Sequence, residues 1–129
     1  MVEGGWLLDT SILVDVLRGS EAARAWVDGL RLSSRFVSFV SVAELIAGCR
    51  NRREQRSLDQ ELRLYTTLWL DEPASRLGLD LYGRYRLSHG VGFLDCIVAA
   101  TAVSHMLPVA TLNAKHFEPL PDLRVQRPY

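Results

Sequence analysis

Lysine is almost missing from this chain. Lys115 stands alone against fourteen arginines, so nearly every cation is a planar guanidinium suited to bidentate contact with phosphate or carboxylate. Coding bias accounts for such an excess without any function. A surplus of one charge is also lacking. Fifteen basic and fifteen acidic residues balance, which excludes a global field that would gather a polyanion. A nucleic-acid partner must then be held by a local patch or through a metal ion. Cysteine is scarce. Cys49 and Cys96 lie far apart with no C-x-x-C spacing, so neither zinc nor a redox pair is indicated. Their apolar neighbours make them buried free thiols, as expected in a reducing cytosol. No apolar stretch approaches the roughly 20 residues of a membrane span. The opening "MVEGGW" has no basic region ahead of a long apolar run, so no signal peptide is expected. A soluble, cytoplasmic protein without membrane contact is the expectation. Repeats, low-complexity tracts and linkers are absent too, which leaves one domain over residues 1–129.

What is present alternates between strand and helix. "WLLDTSILVDVLRG" reads as a short buried strand running into a helix that stops at Gly19. Ala22, Trp26 and Leu30 mark one face of a second helix, with Ser20 as its cap. "RFVSFVS" is a short β-rich run, and "SVAELIAGCR" starts a helix at Ser41. A polar helix follows from about Arg53 to Leu68, then a strand near Leu70. Pro73 opens the next helix, whose apolar face is Leu77, Leu81 and Tyr85. After the loop "SHGVG" comes "FLDCIVAATAVSH", a helix so apolar that it belongs at the centre. "LPVATLN" and "LRVQRPY" supply the last strands. The pattern predicts an α/β fold with a mainly parallel central sheet flanked by helices on both faces.

Three acids share one setting. Asp9 ends a strand and opens a helix, Glu44 sits early in the helix from Ser41, and Asp95 precedes the apolar helix from Cys96. In parallel sheets such junctions gather at the carboxyl edge of the strands, where ligands bind. The acids can therefore converge although 35 and 51 residues separate them. Each also has a purely structural explanation. Asp9 and Asp95 suit helix caps, and "SVAE" is a capping box with Ser41 as cap and Glu44 three residues on. Against this, Asp9 follows Leu7 and Leu8, and Asp95 lies among Phe93, Leu94 and Ile97. Charges in such company need partners, and no Arg or Lys stands in register. A hard cation, Mg²⁺ or Mn²⁺, meets that need.

The blocks "LLDTSILVDVLRG", "SVAELIAG", "FLDCIVAATA" and "VATLNAKHF" resemble, in order and spacing, those of the PIN-domain ribonucleases, and within them the VapC-type toxins of bacterial toxin–antitoxin pairs. The likeness spans essentially the whole chain. It implies metal-dependent cleavage of RNA. Residue by residue, Asp9, Glu44 and Asp95 match the family's acidic metal-binding positions, and Ser11 or Thr10 its small hydroxyl position. Asn113 falls where many members carry a fourth aspartate, with Thr111 at the hydroxyl position before it. Asn keeps an oxygen but loses the charge, so the first metal site survives on Asp9 and Asp95 while a second is in doubt. The resemblance further implies a homodimer and a cognate antitoxin whose peptide, often through an Arg, lies across the acids.

Within that chemistry Asp9 and Asp95 hold the main ion, Glu44 holds or deprotonates its water, Ser11 or Thr10 positions that water or a phosphate oxygen, and Asn113 stays outside. Arg50, Arg52, Arg53 and Arg56 in "CRNRREQR" suit either a solvated helix start or contact with RNA phosphates beside Glu44. Arg84 and Arg86 are weaker candidates of the same kind. His89, His105 and His116 read as ordinary surface or capping residues, although His116 is near a motif. Asp15, one turn past Ser11, reads as an exposed helix position. Tyr82, Tyr85 and Trp69 read as core rather than base-stacking residues. A receiver domain is disfavoured because Thr10 follows Asp9 and no Asp ends "FVSFV". A phosphatase with Asp-x-Asp is excluded by "DTS". The remaining alternatives are a PIN-like domain that binds RNA or a partner without cutting, and a PIN nuclease outside any toxin–antitoxin pair.

Overall fold

A computed structural model describes residues 4–129. Met1 to Glu3, part of the segment read above as free of a signal peptide, lie outside the described residues. Five parallel strands form one sheet in the order β3-β2-β1-β4-β5. They are β1 (Trp6–Leu8), β2 (Arg35–Ser38), β3 (Thr66–Leu68), β4 (Val109–Ala110) and β5 (Val125–Gln126). The helices are α1 (Thr10–Leu17), α2 (Glu21–Asp28), α3 (Phe39–Ala47), α4 (Arg52–Leu62), α5 (Glu72–His89) and α6 (Phe93–Ser104). Two short 3-10 turns, Leu32–Ser34 and Ala114–His116, precede β2 and follow β4.

Side chains alternate across a strand, and here the alternation feeds two cores. Leu7, Phe36 and Val109 face one way and pack with Leu81, Val98 and Phe117. Leu8, Val37 and Ala110 face the other way and pack with Ile12, Val27 and Leu58. Both faces of the sheet are thus covered, α5 and α6 on one and α1 to α4 on the other. That explains why the strands read as continuous apolar runs. Helix α6 is buried at every position from Cys96 to Ala102. It approaches α5 so closely at Gly78 that an added Cβ would lie 2.6 Å from Ile97 Cδ1.

The ends of the elements differ from the sequence reading in several places. The first turn of α3 begins at Phe39, not Ser41, because Ser38 takes the cap and accepts the Val40 N–H at 3.2 Å. The capping box is therefore absent. Ser41 is fully buried, and its hydroxyl has no hydrogen-bond partner among the described residues. Helix α6 starts two residues before Asp95, capped by Gly92, so Asp95 lies inside its first turn. The polar helix ends at Leu62, and β3 precedes Leu70. Pro73 occupies the first turn of α5, which Asp71 caps and Gly90 closes at φ 65°. Among the described residues no helix is long and apolar enough to cross a membrane.

Candidate active site

Strand pairing decides what meets at the carboxyl edge. β1 and β4 are neighbours, with Leu8 opposite Ala110, so the residues just beyond them, Asp9 and Thr111, come side by side. The Asp9 N–H donates to Ala110 O at 2.9 Å and fixes the register. Asp9 is only 7% exposed and Thr111 is fully buried. A carboxylate at this depth requires donors, and two hydroxyls supply them. Thr111 Oγ1 donates to Asp9 Oδ2 at 2.7 Å, and Ser11 Oγ donates to the same oxygen at 3.1 Å. Thr111 Oγ1 accepts the Asn113 N–H at 2.9 Å, and Ser11 Oγ accepts the Leu112 N–H at 3.1 Å. The chain beyond β4 is thereby tied to the start of α1. Asp9 has the backbone position of a helix cap but makes no side-chain capping bond. Among the described residues no hydrogen bond reaches its other oxygen, Oδ1.

Glu44 projects from the middle of α3, is exposed, and accepts the Thr10 hydroxyl at 2.9 Å. This contact joins α3 to the first residue of α1. Asp95 comes from the first turn of α6, where the helix N-terminus favours negative charge. Burial nevertheless raises its carboxyl above the ordinary value, and the charges of Asp9 and Glu44 push the same way. Only His116 opposes them, with Nδ1 3.5 Å from Asp95 Oδ2. Asp95 thus lies in the field of both other acids, and among the described residues no Arg or Lys pairs with any of the three. No group of three His, Cys, Asp or Glu side chains among the described residues is close enough to form a ready metal cage.

The other candidates divide. Thr10 and Ser11 both touch the acids. Asn113 is exposed, and only its backbone is bonded into the cluster. Arg50 is tied to Glu54 at 2.7 Å, whereas Arg52, Arg53 and Arg56 are exposed and without a carboxylate partner among the described residues. A groove of about 730 Å³ between α1, α3 and α4 runs from Glu44 past Leu17, Arg18, Cys49 and Arg53. Arg84 pairs with Asp80. Asp15 is half-buried, accepts the Tyr129 hydroxyl at 2.9 Å, and is not a free helix position. Trp69 is 70% exposed, not core, and rests against Phe39 with ring centroids 5.6 Å apart. His116 was read as ordinary, and the structure places it at the site. Its contact spans 21 residues and depends on the 3-10 turn after β4, which no local pattern announces. Thr111, which the resemblance places at the family's hydroxyl position, is the residue that holds Asp9.

A five-stranded parallel sheet with acids gathered at the carboxyl edge of its central strands is the arrangement of a PIN domain. The family model described as PIN domain matches residues 6–121, and the chain belongs to that family. Its relatives narrow the kind. Ribonuclease VapC10 of Mycobacterium tuberculosis is 38% identical over 120 residues, covering 92% of this chain and 90% of that one. The FitAcB structure from Neisseria gonorrhoeae matches with a TM-score of 0.77 and 31% identity, over 95% of this chain and 97% of that one. DNA-bound VapBC from Salmonella typhimurium shares the fold at a TM-score of 0.85 and 24% identity, over 95% and 96%.

Proposed function

We propose that this chain is an endoribonuclease and the toxin of a toxin–antitoxin pair, cutting RNA at the edge formed by Asp9, Glu44 and Asp95. The observation that carries this reading is that Asp95 lies in the field of both Asp9 and Glu44 while no Arg or Lys among the described residues pairs with any of the three. Such a set attracts a cation without enclosing it. Its donors are hard oxygens, and among the described residues no hydrogen bond reaches Asp9 Oδ1. The open spacing suits an ion that retains several waters and needs one or two carboxylates, as Mg²⁺ does and Mn²⁺ can. Asp9 and Asp95 would hold it, with Glu44 reaching its water. Once bound, such an ion supplies an activated water and neutralises the phosphate. Thr111 and Ser11 hold Asp9 in one rotamer, and Thr10 does the same for Glu44. Asn113 has no direct part. Arg52, Arg53 and Arg56 would meet RNA phosphates leading away from Glu44, with Arg50 held back by Glu54.

Two partners follow. The FitAcB and VapBC structures support an antitoxin, whose cationic side chain would take the ion's place among the acids. A second copy of the chain would cover the apolar outer face of α3. There Phe39 rests against Trp69, and both Phe39 and Ile46 are more than two-fifths exposed, apolar side chains that a second copy would cover.

The test is RNA cleavage by purified protein with Mg²⁺ or Mn²⁺ against EDTA, for the wild type and Glu44→Gln. Glutamine can still accept the Thr10 hydroxyl, so the variant should melt with the wild type. We expect metal-dependent cleavage that the variant loses. Cleavage by the variant at the wild-type rate would refute the site. A wild type that binds RNA without cutting it would favour the non-catalytic alternative.

A further inference from the structure

The groove of about 730 Å³ between α1, α3 and α4 counts Glu44 in its lining and so adjoins the acidic edge. Arg18, at the end of α1, and the apolar Leu17 before it also line this groove. Neither belongs to a motif block's acid or hydroxyl positions. We propose that the groove holds the RNA that flanks the cut, with Arg18 and Arg53 gripping its backbone and Leu17 limiting which base fits beside them. This rests on the nuclease reading above and deepens it.

Charge is the first ground. The chain as a whole is neutral, so a polyanion needs a local patch. Of the arginines lining the groove, Arg50 is taken by Glu54 at 2.7 Å. Arg18 and Arg53 are exposed and pair with no carboxylate among the described residues. Away from Glu44 the groove therefore keeps two guanidiniums able to take phosphate oxygens in bidentate fashion. Their placement is the second ground. Arg18 is the C-cap of α1 and Arg53 lies in the first turn of α4. Two separate elements fix the course of a strand, where one would only attract it. The third ground is the apolar part of the lining. Leu45 is buried, and Leu17 is 39% exposed. A base has apolar faces on a charged backbone, and this mixture of side chains matches it. The volume lies within the roughly 300–1,000 Å³ of small-ligand clefts, enough for a nucleotide and its flanks but not for a duplex. A peptide that brings its own cation to the acids gains nothing from two more guanidiniums beside them, so the charge favours RNA.

The experiment uses the full chain and a short labelled RNA with randomised bases. Binding is measured in EDTA over a range of salt, and cleavage with Mg²⁺ or Mn²⁺, the products being sequenced. The proteins are wild type, Arg18→Ala, Arg53→Ala, Leu17→Trp, Leu17→Ala and, as a control for lost surface charge, Arg76→Ala. Loss of either groove arginine should weaken binding and lower the slope of log K against log salt by about 0.7, while Arg76→Ala keeps the wild-type slope. In cleavage that loss should fall on KM, with kcat nearly kept. Leu17→Trp should change the base preferred at one position beside the cut. Leu17→Ala, which demands no extra room, should relax that preference. If Arg18→Ala and Arg53→Ala bind with the wild-type slope, RNA does not use the groove, which is then a face for a protein partner, and the inference is overturned. Cleavage at unchanged sequences by both Leu17 variants would overturn the part assigned to Leu17. If the slopes change as expected but the wild type cuts nothing with either ion, the groove binds RNA and it is the nuclease reading that fails.

Discussion

Replacing Thr111 with valine tests whether Asp9 is held in the way described. Valine keeps the branched shape and fills the same space, so the cavity term is small. What disappears is one hydroxyl with two bonds. The first is the 2.7 Å donation to a carboxylate that is 7% exposed, and a bond to a charged group contributes about 1.5–3 kcal/mol. The second is the acceptor for the Asn113 N–H at 2.9 Å, a loss of about 1 kcal/mol for an ordinary bond. Ser11 still reaches Asp9 at 3.1 Å and limits the damage, so about 3 kcal/mol is expected. For a chain of this size that lowers Tm by about 10–15 °C. Thermal melts followed by circular dichroism at neutral pH measure it. Thr111→Ser, which restores the hydroxyl, should recover most of the loss, and RNA cleavage should follow the same order. A valine variant that melts within about 2 °C of the wild type would refute the argument, because Asp9 would then be satisfied by something other than Thr111.

The Asp95 carboxyl is raised, so the folded state favours its protonated form and stability falls as pH rises from the unfolded value of about 3.9 through the folded one. Without divalent metal, Asp95→Asn should therefore melt above the wild type near pH 7. That gain should vanish in acid, while cleavage is lost throughout. Glu61 carries the opposite sign. Burial pushes its carboxyl up, but bonds from Arg24 at 2.6 Å and from the Tyr65 hydroxyl at 2.8 Å outweigh this and leave it below the ordinary range. Glu61→Gln should lose about 1–2 kcal/mol near neutrality, a figure reduced for the partly solvated Arg24. The difference should close as pH falls through the depressed folded value, as paired urea titrations would show. Finally, Ile46→Asp and Trp69→Ser should each elute as a monomer where the wild type elutes as a dimer in sizing with light scattering. A wild type that is monomeric at high concentration would remove the second copy from the account.

Asp9 was visible in the sequence because it ends a strand and opens a helix, and a parallel sheet sends such junctions to one edge; Glu44, in the middle of α3, and Asp95, at the start of α6 after helix α5, reach that edge through the packing of their helices. The alternation of elements likewise announced the layers. What the sequence concealed was set by tertiary contacts. "RFVSFVS" looks like one β-rich run, yet the sheet uses only its first half, and Ser38 turns the rest into α3. Ser41 therefore imitated a cap while lying inside the helix. His116 looked idle because its partner lies on α6, far away in the chain. Trp69 looked like core because it stands at strand spacing, whereas here it leans on Phe39 at the surface. Arg50 looked free because its capture by Glu54, four residues on, matters only once Asn51 starts α4.

The pairing of β1 with β4 also bears on when the site comes into being. Thr111 follows Asp9 by 102 residues, and only their strands' parallel register brings them together. Long-range pairing of this kind forms late, since the whole intervening chain must first be closed into a loop. During synthesis the acid therefore emerges long before the hydroxyl that holds it. A chain stopped short of β4 leaves Asp9 without that partner, whatever else has folded. A ribosome making this nuclease is thus exposed to a finished cutting edge only once β4 has emerged and paired with β1.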